Sequence, residues 1–89
     1  MNASYLITRA KPLQGFIVEL TFSDGLVAAL DLSSFIADEV GPIFGPLSDP
    51  SYFRQLVADP ELGTIVWPNG ADLAPDVLHE RALREVAPA

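Results

Sequence analysis

Gly15-Phe16-Ile17-Val18-Glu19-Leu20-Thr21-Phe22, then Ser23-Asp24-Gly25, then Leu26-Val27-Ala28-Ala29-Leu30-Asp31-Leu32 reads as a β-hairpin: two β-rich runs around a glycine-containing turn. The turn length fixes the register. With Asp24-Gly25 as a two-residue loop, Phe22 would face Val27 and Val18 would face Asp31, placing a charge opposite an apolar row. A three-residue loop, with Gly25 left-handed in a bulge, pairs Phe22 with Leu26, Leu20 with Ala28, Val18 with Leu30 and Phe16 with Leu32. All four pairs are then apolar. Glu19, Thr21, Ala29 and Asp31 fall on the opposite face, so the sheet is one-sided and something must cover its apolar face.

Upstream, Tyr5 to Ala10 is a short edge strand closed by Lys11-Pro12, because proline cannot donate to a sheet ladder. Downstream, Ser33-Ser34 offers an N-cap to a helix that Gly41-Pro42 keeps short. Gly41-Pro42-Ile43-Phe44-Gly45-Pro46 reads as a loop tucked over the core. Asp49-Pro50 caps and starts a second short helix carrying Phe53, Leu56 and Val57, which Asp59-Pro60 ends. Thr64 to Trp67 is a strand closed by the turn Pro68-Asn69-Gly70, and residues 74–83 form a last helix with Val77, Leu78 and Leu83 as its apolar contacts. The predicted architecture is α+β: a small, mostly antiparallel sheet with an N-terminal β-hairpin and two or three short helices on one face. The core comprises Phe16, Val18, Leu20, Phe22, Leu26, Leu30 and Leu32 facing Phe53 and Leu56.

With 89 residues the expectation is a single domain over 1–89. The absence of cysteine excludes disulfide scaffolds, thiol nucleophiles and zinc knuckles. The formal charge is −7, of which residues 1 to 37 contribute only −1. Direct nucleic-acid binding through this domain is disfavoured, since affinity for phosphate backbones comes from clustered Lys and Arg. No run approaches the roughly 18 apolar residues of a membrane span, and no leader pattern opens the chain, so a cytoplasmic location is expected.

Chemistry-bearing residues are sparse. His79 has Asp76 three positions before it, a spacing at which a carboxylate could orient an imidazole as in a general-base pair. The plainer reading is an exposed histidine on the last helix, with Asp76 as a capping residue. No phosphate-cradling glycine loop, serine nucleophile motif or metal-ligand spacing occurs, so neither a metal nor another cofactor is expected. Trp67-Pro68-Asn69-Gly70-Ala71-Asp72 is the most distinctive segment. Asn69-Gly70 suits a tight turn that Asp72 could hold by accepting backbone hydrogen bonds. Such a turn could also present Trp67, Asn69, Asp72 and Asp76 to a partner, tryptophan being favoured at interface hot spots.

Phe22-Ser23-Asp24-Gly25 with Asp31-Leu32, Gly45-Pro46-Leu47-Ser48-Asp49-Pro50 with Phe53, and Trp67-Pro68-Asn69-Gly70-Ala71-Asp72-Leu73-Ala74-Pro75-Asp76 with Leu78 resemble the bacterial family called domain of unknown function 2442. The likeness spans almost the whole chain, and the Trp-Pro-Asn-Gly-Ala-Asp-Leu run is its most specific part. One departure is His79, where the family usually has an aromatic residue, often Tyr. The resemblance implies a small α+β fold, no established enzymatic activity and a bacterial cytoplasmic setting. Some members carry a C-terminal helix-turn-helix domain, for which this sequence ends too soon. Many resemble one half of a two-gene unit of the toxin–antitoxin kind.

The expected function is therefore a non-catalytic protein-interaction module, similar to the antitoxin or accessory half of such a unit, with a small protein partner whose basic charge would suit the acidic surface. The alternative is a small ligand-binding or enzymatic domain using Asp72, Asp76 and His79. A homodimer is a further expectation, placed at the opening strand because Tyr5, Leu6 and Ile7 are apolar without evident partners in the chain.

Overall fold

The computed structural model describes residues 5–38 and 45–86. Strands β1 (Ile7–Pro12), β2 (Ile17–Phe22) and β3 (Val27–Asp31) form an antiparallel sheet in the order β1-β2-β3. Helix α1 (Ser33–Asp38), a 3-10 helix (Gly45–Ser48) and helix α2 (Pro50–Phe53) follow. Strands β4 (Val57–Asp59) and β5 (Thr64–Val66) then make a second antiparallel pair, and helix α3 (Pro75–Val86) packs on β3.

The β2–β3 register is the three-residue-loop register: Leu20 faces Ala28 and Val18 faces Leu30. The Phe22 N–H donates to Leu26 O at 2.8 Å and the Leu32 N–H to Phe16 O at 2.9 Å, so the two outer pairs also form. Gly25 sits at φ +93, as the bulge requires, and the Asp24 carboxylate accepts the Leu26 N–H at 3.1 Å. The one-sided pattern follows. Val18, Leu20, Phe22, Ala28, Leu30 and Leu32 are buried, whereas Glu19, Ala29 and Asp31 are exposed. Phe16 and Leu26 are partly buried against the same core. The core is closed from the other side by Leu47, Phe53, Leu56, Ile65, Trp67 and Leu78.

Several local expectations need correction. β1 runs through Lys11 to Pro12, where the sequence suggested a stop at Ala10. Pro12 is tolerated because it is the last residue of an edge strand, and the next bond comes from the Leu13 N–H to Ile17 O. Helix α1 starts at Ser33 itself, with the Asp31 carboxylate accepting the Ser33 N–H at 3.0 Å in the role expected of a serine cap. Asp49 caps α2 as expected, accepting the Ser51 N–H at 3.0 Å, but the helix ends at Phe53 and Val57 belongs to β4, with 55% of its surface exposed. Of the expected loop 41–46, Gly45 and Pro46 lie in the 3-10 helix and the rest lies outside the described residues.

On α3, Leu78 is buried as expected, but its companions on the inward face are His79 and Ala82, while Val77 and Leu83 are about half exposed. Of the three apolar residues expected at a dimer contact on the opening strand, Ile7 is 2% exposed and in the core, Tyr5 packs against it, and Leu6 stays 44% exposed. The Ile7 N–H donates to Gly63 O at 2.8 Å, tying β1 to the β4–β5 turn.

Candidate functional site

Trp67 anchors the distinctive turn from below. Its side chain is buried, its indole N–H donates to Phe53 O at 2.9 Å, and its ring lies 5.7 Å from the Phe53 ring. The expectation of a tryptophan presented at the surface therefore meets a core residue, held in place because a buried indole needs an acceptor. Above it the chain closes tightly: the Gly70 N–H donates to Trp67 O and the Trp67 N–H to Ala71 O, each at 2.9 Å. Gly70 takes φ +91. The side chain that braces the turn is Asn69, whose Oδ1 accepts the Ala71 N–H at 3.1 Å, in the place expected of Asp72.

Asp72 bridges to Val66 through the backbone and leaves its side chain exposed. Thr64, buried beneath, donates its hydroxyl to Leu73 O, which locks the path from the turn into α3. Asp76 is also exposed, in the first turn of α3, and its Oδ1 lies 3.5 Å from the Tyr5 N. From Pro68 to Asp76 the chain thus forms a hydrogen-bonded ridge, rooted by buried Ala71 and Leu73, with Asn69 partly buried and both carboxylates at the surface. A carboxylate near a helix N-terminus is favourably placed against the helix dipole.

His79 departs furthest from expectation. It is 4% exposed, and its carboxylate partner is Asp24, in the β2–β3 turn, rather than Asp76: Nε2 lies 2.8 Å from Asp24 Oδ2. The Tyr5 ring stacks on the imidazole at 3.6 Å and 7°, and the Phe22 ring meets it edge-on at 4.9 Å. Asp24 is held below the usual carboxylate range, first by the Leu26 N–H and then by the bond with His79. The spacing of Leu78, His79 and Ala82 on one helical face was the sequence signal that His79 points inward; Asp24 and Tyr5 lie too far away in sequence for any local pattern to have found them.

The chemistry open to this cluster is narrow. The imidazole is buried under the Tyr5 ring and against Phe22, and its Nε2 is committed to the Asp24 carboxylate. Among the described residues no group of three or more His, Asp and Glu side chains is placed to hold a metal ion. A groove of about 300 Å³ runs between β1 and the β4–β5 pair, lined by Leu6, Ile7, Thr8, Ala58, Pro60 and Gly63, none of them titratable. No helix among the described residues is long and apolar enough to cross a membrane.

An antiparallel meander, a second strand pair and a C-terminal helix over one shared core define a small α+β domain. The chain belongs to the family described as protein of unknown function DUF2442, whose model matches residues 7–83. The fold is similar to that in the crystal structure of "putative DNA binding protein NE0471" from Nitrosomonas europaea, with a TM-score of 0.76 at 21% identity. The match covers 94% of this chain and 54% of that one, so this chain spans about half the length of the solved protein. No curated protein matches the chain in sequence.

Proposed function

We propose that this domain is a non-catalytic protein-interaction module of a bacterial cytoplasmic protein, and that the ridge from Pro68 to Asp76 receives a basic segment of a small protein partner, as the antitoxin or accessory half of a two-gene unit would. The observation that carries this reading is the bracing of the ridge: two exposed carboxylates follow a turn held by Asn69 and anchored by buried Trp67. A preformed surface loses little conformational entropy on binding, so its charges contribute to affinity and to encounter rate. Asn69, Asp72 and Asp76 are the contact residues, and Trp67 acts as a positioning residue from beneath.

The solved neighbour is named for DNA binding, and this domain covers about half of it. Direct DNA contact by this domain is disfavoured by its charge of −7. A catalytic reading is disfavoured by the enclosure of His79 and by its pairing with Asp24, away from Asp72 and Asp76.

Affinity capture from a native host extract tests the reading, run with the wild-type chain and with Asp72→Asn/Asp76→Asn. The account expects a small basic protein that also binds when purified, with affinity reduced roughly 2- to 30-fold in the variant, the range for two surface ion pairs. Capture unaffected by the variant, or tight binding of random duplex DNA by the wild-type chain in fluorescence anisotropy, would contradict it.

A further inference from the structure

The two edges of the three-stranded sheet are built differently. β1 carries Arg9 and Lys11, ends in Pro12, and has an irregular register between Ile7 and Arg9. One of its ends is already bonded, Ile7 N–H to Gly63 O. Charged residues, a proline, a bulge and a covering segment are the devices by which edge strands avoid further pairing. β3, the other edge, has fewer of them: the Gly25 bulge lies in the turn before it, and its one charged residue, Asp31, is its last. Val27-Ala28-Ala29-Leu30-Asp31 is regular in register throughout, and it contains neither proline nor a cation.

The register also says which backbone groups are free to pair. Leu26 and Leu32 bond to β2, and antiparallel alternation assigns Ala28 and Leu30 to the same side. The N–H and C=O groups of Val27, Ala29 and Asp31 therefore point away from the sheet. The side chains of these residues are exposed, Val27 by 47%.

We propose that two copies of this chain pair antiparallel along β3, with Ala29 opposite the partner's Ala29, to make one continuous six-stranded sheet. This register is the one in which all three outward-facing residues of each copy find a partner: Ala29 with Ala29, and Val27 with Asp31 on either side. It also resolves the objection from the acidic charge. Asp31 never faces Asp31 across the dyad; the two carboxylates stand four residue steps apart, about 13 Å along the strand, beyond the screening length of about 8 Å at physiological salt. The Asp31 side chain is already engaged by the Ser33 N–H at 3.0 Å, which fixes it at the end of the strand. The contact is independent of the ridge at residues 68–76.

Because the dyad sets residue 29 against itself, charge substitution there gives a reciprocal test. Light scattering of the wild-type chain across the micromolar to millimolar range is expected to rise from 9.6 kDa toward twice that mass. Ala29→Lys and Ala29→Glu, each placing like charges opposite one another, are expected to stay monomeric, and an equimolar mixture of the two to recover the dimer. Far-UV circular dichroism confirms that each variant folds. Amide exchange on the wild-type chain supplies a measurement free of substitution: the Val27, Ala29 and Asp31 amides gain protection with concentration. A wild-type mass of 9.6 kDa throughout, a dimer unmoved by both substitutions, a mixture that remains monomeric, or exchange at these three amides that ignores concentration would each overturn the proposal.

Discussion

Two buried side chains, Trp67 and His79, decide how this surface is to be read. Trp67 belongs to the core, so Trp67→Ala is expected to lower stability by about 3–5 kcal/mol in urea denaturation, the range for truncating a large buried aromatic. A loss within about 0.5 kcal/mol is what a surface position gives and would move the ring outward. His79 is expected to matter through Asp24. A carboxylate held below its unfolded value adds stability that is present above the ordinary carboxylate range and is lost as pH falls through the lowered value. Melting temperature followed from about pH 5 to pH 2 should therefore fall less steeply in Asp24→Asn than in the wild type. Part of the slope should survive, because Asp31 is lowered in the same direction by the Ser33 N–H. An unchanged acid limb in Asp24→Asn would mean that neither the Leu26 N–H nor His79 holds this carboxylate in solution. Neither role was fully legible in the sequence. Trp67 sits beside a turn motif that suggests display, and the acceptor that draws its indole inward, Phe53 O, belongs to another element.

At the scale of elements, the hairpin was legible down to its register because turn length and the apolar row constrain each other: slipping to a two-residue loop would set Asp31 against Val18. The cap of α2 was legible for a similarly local reason, Asp49 followed by Pro50. What failed was the placing of Val77 and Leu83 on the inner face of α3 and the length of α2, where tertiary packing overrides a short apolar pattern. Phe53, Leu56 and Val57 fit helical spacing, yet pairing of Val57 with Val66 draws the segment into a strand. On α3 the correction is measurable. Leu78→Ala is expected to cost about 2–5 kcal/mol, while Val77→Ala stays within about 0.5 kcal/mol. Equal costs at the two positions would contradict the orientation of the helix.

For the whole molecule, the composition set limits that the fold then gave location. An excess of seven negative charges disfavours phosphate backbones, and the exposed carboxylates Asp72 and Asp76 lie on a ridge whose turn is braced by Asn69 and anchored by Trp67. The sheet edge that the sequence offered for self-association carries Arg9, Lys11, Pro12 and a register shift, whereas the edge it did not single out is regular and free of proline. Candidate residues dispersed over the sequence were separated by the same folding: Asp76 stays at the surface while His79 turns inward to Asp24. The ridge as a docking surface for a basic partner is the central claim. It is tested most directly by mapping amide chemical shifts of the labelled chain as the purified partner is added. The account predicts shifts concentrated at residues 68–76 that weaken with added salt. Shifts confined to the Tyr5, Asp24 and His79 cluster, or to the groove between β1 and β4, with the ridge unmoved, would contradict it.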